Sequence, residues 1–294
     1  MKALVIGCNG LLGQTLLRTM PEGWRAAGAG MEPEAVLAGR LSGYARLDIT
    51  ERGKLEAAVR AEAPDVLFNA AAVTDVDLCE REQELCNRIN RDAVGYMAAT
   101  GVPLVHISTD YVFDGMAGPY AEDAPVNPLS HYGKTKLESE ALALSGSSRS
   151  LVARTMTLWG RGKGMKTSFV DFVRNSLEAK KPIRIVTDQW GNPTLAEDLA
   201  LGLWALVGGG RIGIYHVAGS DWNSRFDWAR TIAEFHGLDA SLIQPCLTAD
   251  LNQLARRPLQ SGLRINKLVR DTGFCPRDVE AQLHRTQESS YLLD

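Results

Sequence analysis

MKALVIGCNGLLGQ, residues 1–14, decides the architecture of this chain. Lys2–Ile6 is short and almost wholly apolar, the pattern of a strand buried on both faces of a parallel sheet. Gly7, Gly10 and Gly13 follow at GxxGxxG spacing, and Leu11, Leu12, Leu16, Leu17 and Met20 then recur at helical period. The segment reads as strand, tight turn and helix. Glycine accepts positive φ and lets a ligand approach the backbone with no Cβ between them. A helix N-terminus adds free N–H groups and partial positive charge, which suit a pyrophosphate. A glycine turn that follows the first strand and opens a helix predicts a dinucleotide site, with Gly7, Asn9, Gly10, Leu11, Leu12 and Gly13 as its candidates.

Working outward, apolar runs at Asp65–Phe68, Pro103–Ile107 and Ser150–Ala153 alternate with helical stretches such as Ala93–Thr100 and Tyr132–Leu144. That alternation predicts an α/β fold built on a Rossmann-type doubly wound parallel sheet. After the strand Asp65–Phe68, the small residues of Asn69, Ala70, Ala71 and Ala72 form an edge against which a cofactor can lie. The second strand is expected around Trp24–Gly28, and its end, AAGAG, has neither the acid that binds a ribose 2′-OH nor an arginine for a 2′-phosphate. Arg25 and Arg40 are the basic candidates nearby, so NADP(H) is favoured slightly, with NAD(H) as the alternative. Asp48, with Ile49 in LDIT, is expected on the adenine side or as cap of a helix starting near Glu51.

Beyond residue 155 the texture changes. RGKGMKTS is a basic loop, Phe169–Leu177 reads as a helix, Ile183–Val186 as a strand, and Thr194–Val207 as a helix closed by three glycines. Ile212–Val217 returns to strand, Ser224 caps a helix to Phe235, and helices follow near Asn266–Asp271 and Asp278–Tyr291. The expected division is a dinucleotide-binding domain over 1–155, to which residues around 194–218 return, and a smaller, discontinuous C-terminal substrate-binding domain over 156–294.

Composition excludes several classes. With 45% hydrophobic and 23% charged residues the chain is ordinary for a soluble protein, and a net charge of −3 leaves no footprint for nucleic acid. Five cysteines without a CxxC pair fit reduced thiols, and five scattered histidines suggest no metal site. MKALVIGC faintly resembles a lipoprotein cleavage site, but its apolar stretch is too short for a signal peptide. No segment has the roughly 18 apolar residues of a membrane span, and a cytoplasmic location is expected.

The chemistry is expected where ISTDYVFDG (Ile107–Gly115) leaves a strand end, because ligands of open α/β sheets bind there. Three prolines, Pro119, Pro125 and Pro128, stiffen the loop that leads to HYGKTKLESEAL. Tyr132 and Lys136 there share one helix face. A nearby ammonium should lower a phenol from its usual pKa of about 10 toward working pH. The expectation is hydride transfer to a ketone while Tyr132 supplies the proton, Thr109 orients the oxygen, and Lys136 holds the nicotinamide ribose.

Across nearly the whole chain these motifs resemble the extended short-chain dehydrogenase/reductases, and within them the dTDP-4-dehydrorhamnose reductases. GCNGLLGQ, AAVTDVDLCE, STDYVFDG, PYAEDAPVNPLSHYGKTKLESE, RTMTLWG, VTDQWGNPT, YHVAGSDWNSRFDWA and RPLQSGL carry the resemblance. It implies reduction of a nucleotide-linked 4-keto-deoxysugar to dTDP-L-rhamnose with NAD(P)H, with Thr109, Tyr132 and Lys136 catalytic. It further implies substrate contacts from Thr74, Val76, Asp77, Ser108, Asp110, Tyr111, Gln189 and Arg257, and a homodimer is a further expectation. Thr157 stands where some members carry an aromatic, and Trp159 is the nearby substitute. Arg161, Lys163 and Lys166 could meet the diphosphate or form a solvated loop, and Arg257 could reach a phosphate or pair with Asp250. Trp190 and Asn192–Thr194 are expected to border the sugar pocket, while Trp222 and Trp228 read as core. Other readings are an epimerase or dehydratase, disfavoured because Asp110-Tyr111 lacks a second carboxylate, and a non-catalytic subunit resembling the methionine adenosyltransferase β subunit.

Overall fold

The computed structural model describes residues 1–292. Its central sheet has seven parallel strands. They are β1 (Lys2–Ile6), β2 (Arg25–Gly30), β3 (Tyr44–Arg46), β4 (Val66–Asn69), β5 (Leu104–Thr109), β6 (Leu151–Thr155) and β7 (Gly213–His216). Their order across the sheet is 7-6-5-4-1-2-3, the doubly wound arrangement, in which strand order reverses between β1 and β4. The turn after β1 therefore opens into the crevice where such folds bind ligands.

Both faces of the sheet are covered. One face packs on α1 (Leu11–Arg18) and the helix Ala196–Gly208, with Trp204 lying 5.0 Å from Trp24 and 4.8 Å from Phe68. The other packs on α2 (Arg52–Glu62) and the helices Ala93–Ala99 and His131–Gly146. This double burial explains the continuous apolar runs Ala3–Ile6, Val66–Phe68 and Leu151–Ala153 within β1, β4 and β6. A further core around Trp228 joins helices Phe169–Glu178, Arg225–Phe235 and Val279–Gln287 to a parallel pair of strands, Ile183–Val186 and Ile243–Cys246.

The differences from expectation have local causes. β2 runs to Gly30 rather than Gly28, because small residues at 26–29 let it lie flush against β1 and the Cys8 side chain. Thr194–Leu195 is a short strand paired with Leu158–Trp159, so the next helix begins at Ala196. Asp48 does not cap α2: its carboxylate accepts from Thr50 N–H (2.9 Å) and Thr50 O–H (2.8 Å), and Glu51 stands at the cap. Trp222 is not core; it is 36% exposed, 4.7 Å from the Trp190 ring.

Candidate active site

The glycine turn is shaped by contact. Gly7 has φ +79°, and a Cβ there would come within 2.9 Å of Ala71 N. A Cβ on Gly13 would collide with the Gly7 carbonyl, so α1 can approach the turn only without a side chain there. Gly10 sits at the N-cap, its N–H on the Gly7 carbonyl at 3.0 Å. Asn9 donates to Glu32 Oε2 (3.1 Å) and Glu34 O (2.9 Å) and accepts from Val36 N–H (2.8 Å), tying the turn to the segment after β2. The longer β2 thus puts an acid, Glu32, two residues past its end, where the sequence pattern predicts none. Arg40 borders a separate depression lined by residues 36–40. The side-chain-free turn and the helix start behind it fit a dinucleotide pyrophosphate.

Thr109 ends β5, where its hydroxyl accepts from Tyr111 N–H (3.2 Å) and donates to Asp110 Oδ1 (3.1 Å). Asp110 is buried and also accepts from Ser261 O–H at 2.6 Å; burial raises its carboxyl to about 6. Ser130 caps the helix His131–Gly146 by accepting from Gly133 N–H, which fixes Tyr132 and Lys136 at the helix start. Tyr132 packs edge-on against Tyr111, with ring centroids 5.6 Å apart. Burial pushes the Tyr132 phenol up, and the Thr109 side chain opposes part of that rise.

Lys136 does not lower the phenol, contrary to the expectation from their spacing. Lys136 Nζ donates to the Ile107 carbonyl at 2.5 Å, and it is not among the groups that act most strongly on Tyr132. Burial lowers Lys136 itself to about 8, against the fields of Glu140 and Cys86. A raised phenol pKa keeps Tyr132 protonated at neutral pH, the state a proton donor needs.

Behind these residues lies a polar chain that sequence reading missed. Asn69 Nδ2 lies 3.2 Å from His106 Nδ1, and His106 Nε2 lies 2.8 Å from Ser139 Oγ. Asn69 Oδ1 accepts from Ala71 N–H, which leaves its amide to donate to Nδ1, and His106 Nε2 also lies 3.2 Å from Lys136 Nζ. Burial keeps that imidazole neutral. Glu140 holds Arg154 through two bonds of 2.9 and 2.7 Å and accepts from Ser108 O–H at 2.5 Å. Ser108 borders the cleft with its hydroxyl already committed to Glu140.

A cleft of about 900 Å³ gathers most of the expected residues. Leu11, Leu12 and Asn69–Ala72 form one wall and Ser108–Tyr111, Tyr132 and Lys136 the next, and Thr74, Val76, Thr157, Gln189, Trp190, Pro193 and Arg257 are among the residues opposite. Thr157 is held at φ +46°, an uncommon conformation for a β-branched residue. Other candidates fall outside the lining. Gly7, Asn9, Gly10 and Gly13 shape the turn, and Asp48 and Ile49 lie beyond β3. Trp159 is not a cleft residue: it is buried with its N–H on Gln282 Oε1 at 2.8 Å. The basic loop is displaced too, since Lys163 N–H donates to Gln14 Oε1 and Arg161 reaches the Thr286 carbonyl. Arg257 pairs with Asp77 at 3.0 Å, not with Asp250, which lies 3.6 Å from Arg184. Among the described residues no cluster of three His, Cys, Asp or Glu side chains could hold a metal, and no helix is long and apolar enough to cross a membrane.

Residues 1–291 match the family described as RmlD substrate binding domain. The chain belongs to this family. It is 32% identical to the probable low-salt glycan biosynthesis reductase Agl14 of Haloferax volcanii, over 96% of each chain. It is 30% identical to the dTDP-4-dehydrorhamnose reductase of Aggregatibacter actinomycetemcomitans, over 96% of this chain and 97% of that one. Among solved structures, it is similar to dTDP-4-dehydrorhamnose reductase from Bacillus anthracis in complex with NADP, with TM-score 0.84, 26% identity, and 97% and 98% of the two chains covered.

Proposed function

We propose that this chain is an NADP(H)-dependent reductase of the 4-keto group of a nucleotide-linked deoxysugar, with dTDP-4-dehydro-L-rhamnose as substrate and dTDP-L-rhamnose as product. NAD(H) is the alternative cofactor. The observation that carries the reading is one cleft holding Thr109, Tyr132 and Lys136 beside the glycine-turn edge of Leu11, Leu12 and Asn69–Ala72. The reductases named above, one of them in complex with NADP, support it.

The glycine turn and the start of α1 would hold the pyrophosphate, and the Asn69–Ala72 edge would lie against the cofactor. That cofactor, when bound, supplies hydride. Tyr132 gives its proton to the carbonyl oxygen, and the Thr109 hydroxyl orients that oxygen. Lys136, charged below about pH 8, has one ammonium proton beyond those directed at Ile107 O and His106 Nε2 to offer a ribose hydroxyl. The smaller C-terminal part supplies the sugar-nucleotide wall through Gln189, Trp190 and Arg257.

The test is direct: incubate the protein with NADPH and dTDP-4-dehydro-L-rhamnose and follow reduced-cofactor absorbance. Consumption with formation of dTDP-L-rhamnose supports the reading. No consumption with any 4-keto sugar nucleotide, together with tight binding to another protein, would instead favour a non-catalytic subunit.

A further inference from the structure

Four cationic side chains border the cleft: Lys136, Arg184, Arg225 and Arg257. Three have protein acceptors. Lys136 donates to Ile107 O, Arg184 lies 3.6 Å from Asp250, and Arg257 lies 3.0 Å from Asp77. Among the described residues, the Arg225 side chain has neither a hydrogen-bond acceptor nor an ion-pair partner. Its guanidinium instead lies over two rings, 5.3 Å from the Phe169 centroid and 5.9 Å from that of Trp228.

Arg225 opens a helix whose start is fixed. Ser224 accepts from Asp227 N–H at 3.0 Å, and Asn223–Ser224 pair with Trp190–Gly191 of the cleft wall. Trp228, one helical turn on, borders the same cleft, and its indole N–H is buried without an acceptor. One helix thus brings two unanswered donors to one corner. Burial pushes the Arg225 guanidinium pKa down, with Tyr111 and Asp110 the groups that oppose it. A half-buried cation without a counter-charge is costly, and an anionic ligand relieves that cost. The guanidinium fork matches phosphoryl oxygens, and the aromatic faces beneath hold it in place.

We propose that Arg225 is the cleft's anion anchor, taking the diphosphate of the nucleotide sugar, with the Trp228 N–H as a second donor. This rests on the nucleotide-sugar reading above. It also removes the need for the basic loop at 161–166, which lies outside the cleft.

Calorimetric titration of the full chain tests it, with dTDP and thymidine as probes and NADPH binding as the check on folding. Wild type should bind dTDP, and Arg225→Met should weaken that binding roughly 30-fold or more, the scale for removing one partner of a buried charge pair. Thymidine and NADPH affinities should stay unchanged. Unchanged dTDP affinity in a variant that still binds NADPH overturns the anchor and leaves the reductase reading standing. If Arg225→Met fails to bind NADPH, Arg225→Gln is read by the same two criteria. Wild type that binds NADPH but not dTDP overturns both the anchor and the nucleotide-sugar reading.

Discussion

Replacing Glu140 by glutamine should damage this protein far more than one lost charge on a surface would. Glu140 and Arg154 are only 4% and 3% exposed, and two bonds of 2.7 and 2.9 Å join them. Glutamine keeps the shape and one acceptor oxygen but turns the other into an NH2 facing the guanidinium, and it leaves Arg154 without a counter-charge, beside the Glu122 carbonyl at 3.2 Å and the Phe113 ring at 5.1 Å. Removing one member of a buried pair costs about 3–5 kcal/mol. At about 2.1 cal/mol/K per residue, unfolding 294 residues carries roughly 0.6 kcal/mol/K of entropy, so Tm should fall by about 5–8 °C. Glu140 is also the first of the charges that hold Lys136 up against burial. Without it the Lys136 pKa should move below about 8, shifting the alkaline fall in turnover to lower pH. Differential scanning calorimetry and a pH–rate profile read the two effects. A Tm within experimental error of wild type, with an unmoved alkaline limb, would refute the reasoning.

Three further outcomes are expected. Gly13→Ala should abolish NADPH binding or destabilise the fold by about 1–3 kcal/mol, because its Cβ meets the backbone of Gly7 and Cys8; binding titration and thermal melts check this. Asp110→Asn should remove a loss of stability that wild type suffers between about pH 4 and 6. The folded carboxyl sits near 6 against an ordinary 3.8, so wild type holds that proton contribution below about pH 4 and loses it as pH rises through about 6. At about 1.36 kcal/mol per pKa unit, the variant should gain roughly 3 kcal/mol on wild type between pH 4 and 7, and parallel urea melts that keep a constant difference would contradict this. Trp159→Phe should lose about 1 kcal/mol with its bond to Gln282 yet keep the substrate KM; a large rise in KM would return Trp159 to the cleft.

Much of the fold was legible because its rules are local. A run such as Lys2–Ile6 must be buried on both faces, and glycines at 7, 10 and 13 can only mean a tight approach. Tyr132 and Lys136 were legible because helical spacing puts them on one face. β3 was not, since Tyr44–Arg46 has three residues and no apolar run. Glu32 was missed because small residues in β2 gave no sign of where pairing with β1 ends. The depressed phenol pKa was misjudged because spacing reports neighbours on a helix but not burial or the carbonyl that engages Lys136. Arg225 and the Glu140–Arg154 pair were illegible for a similar reason. Their significance lies in which groups, far apart along the chain, do or do not meet them.

The central claim is that the Tyr132 phenol, kept protonated by burial, delivers the proton to the substrate oxygen. The most direct measurement is single-turnover oxidation of bound NADPH by dTDP-4-dehydro-L-rhamnose in Tyr132→Phe beside wild type. The expected result is a rate loss on the order of 10²–10⁴ with NADPH affinity unchanged. A near-wild-type rate in that variant would mean that the proton comes from elsewhere and would contradict the account.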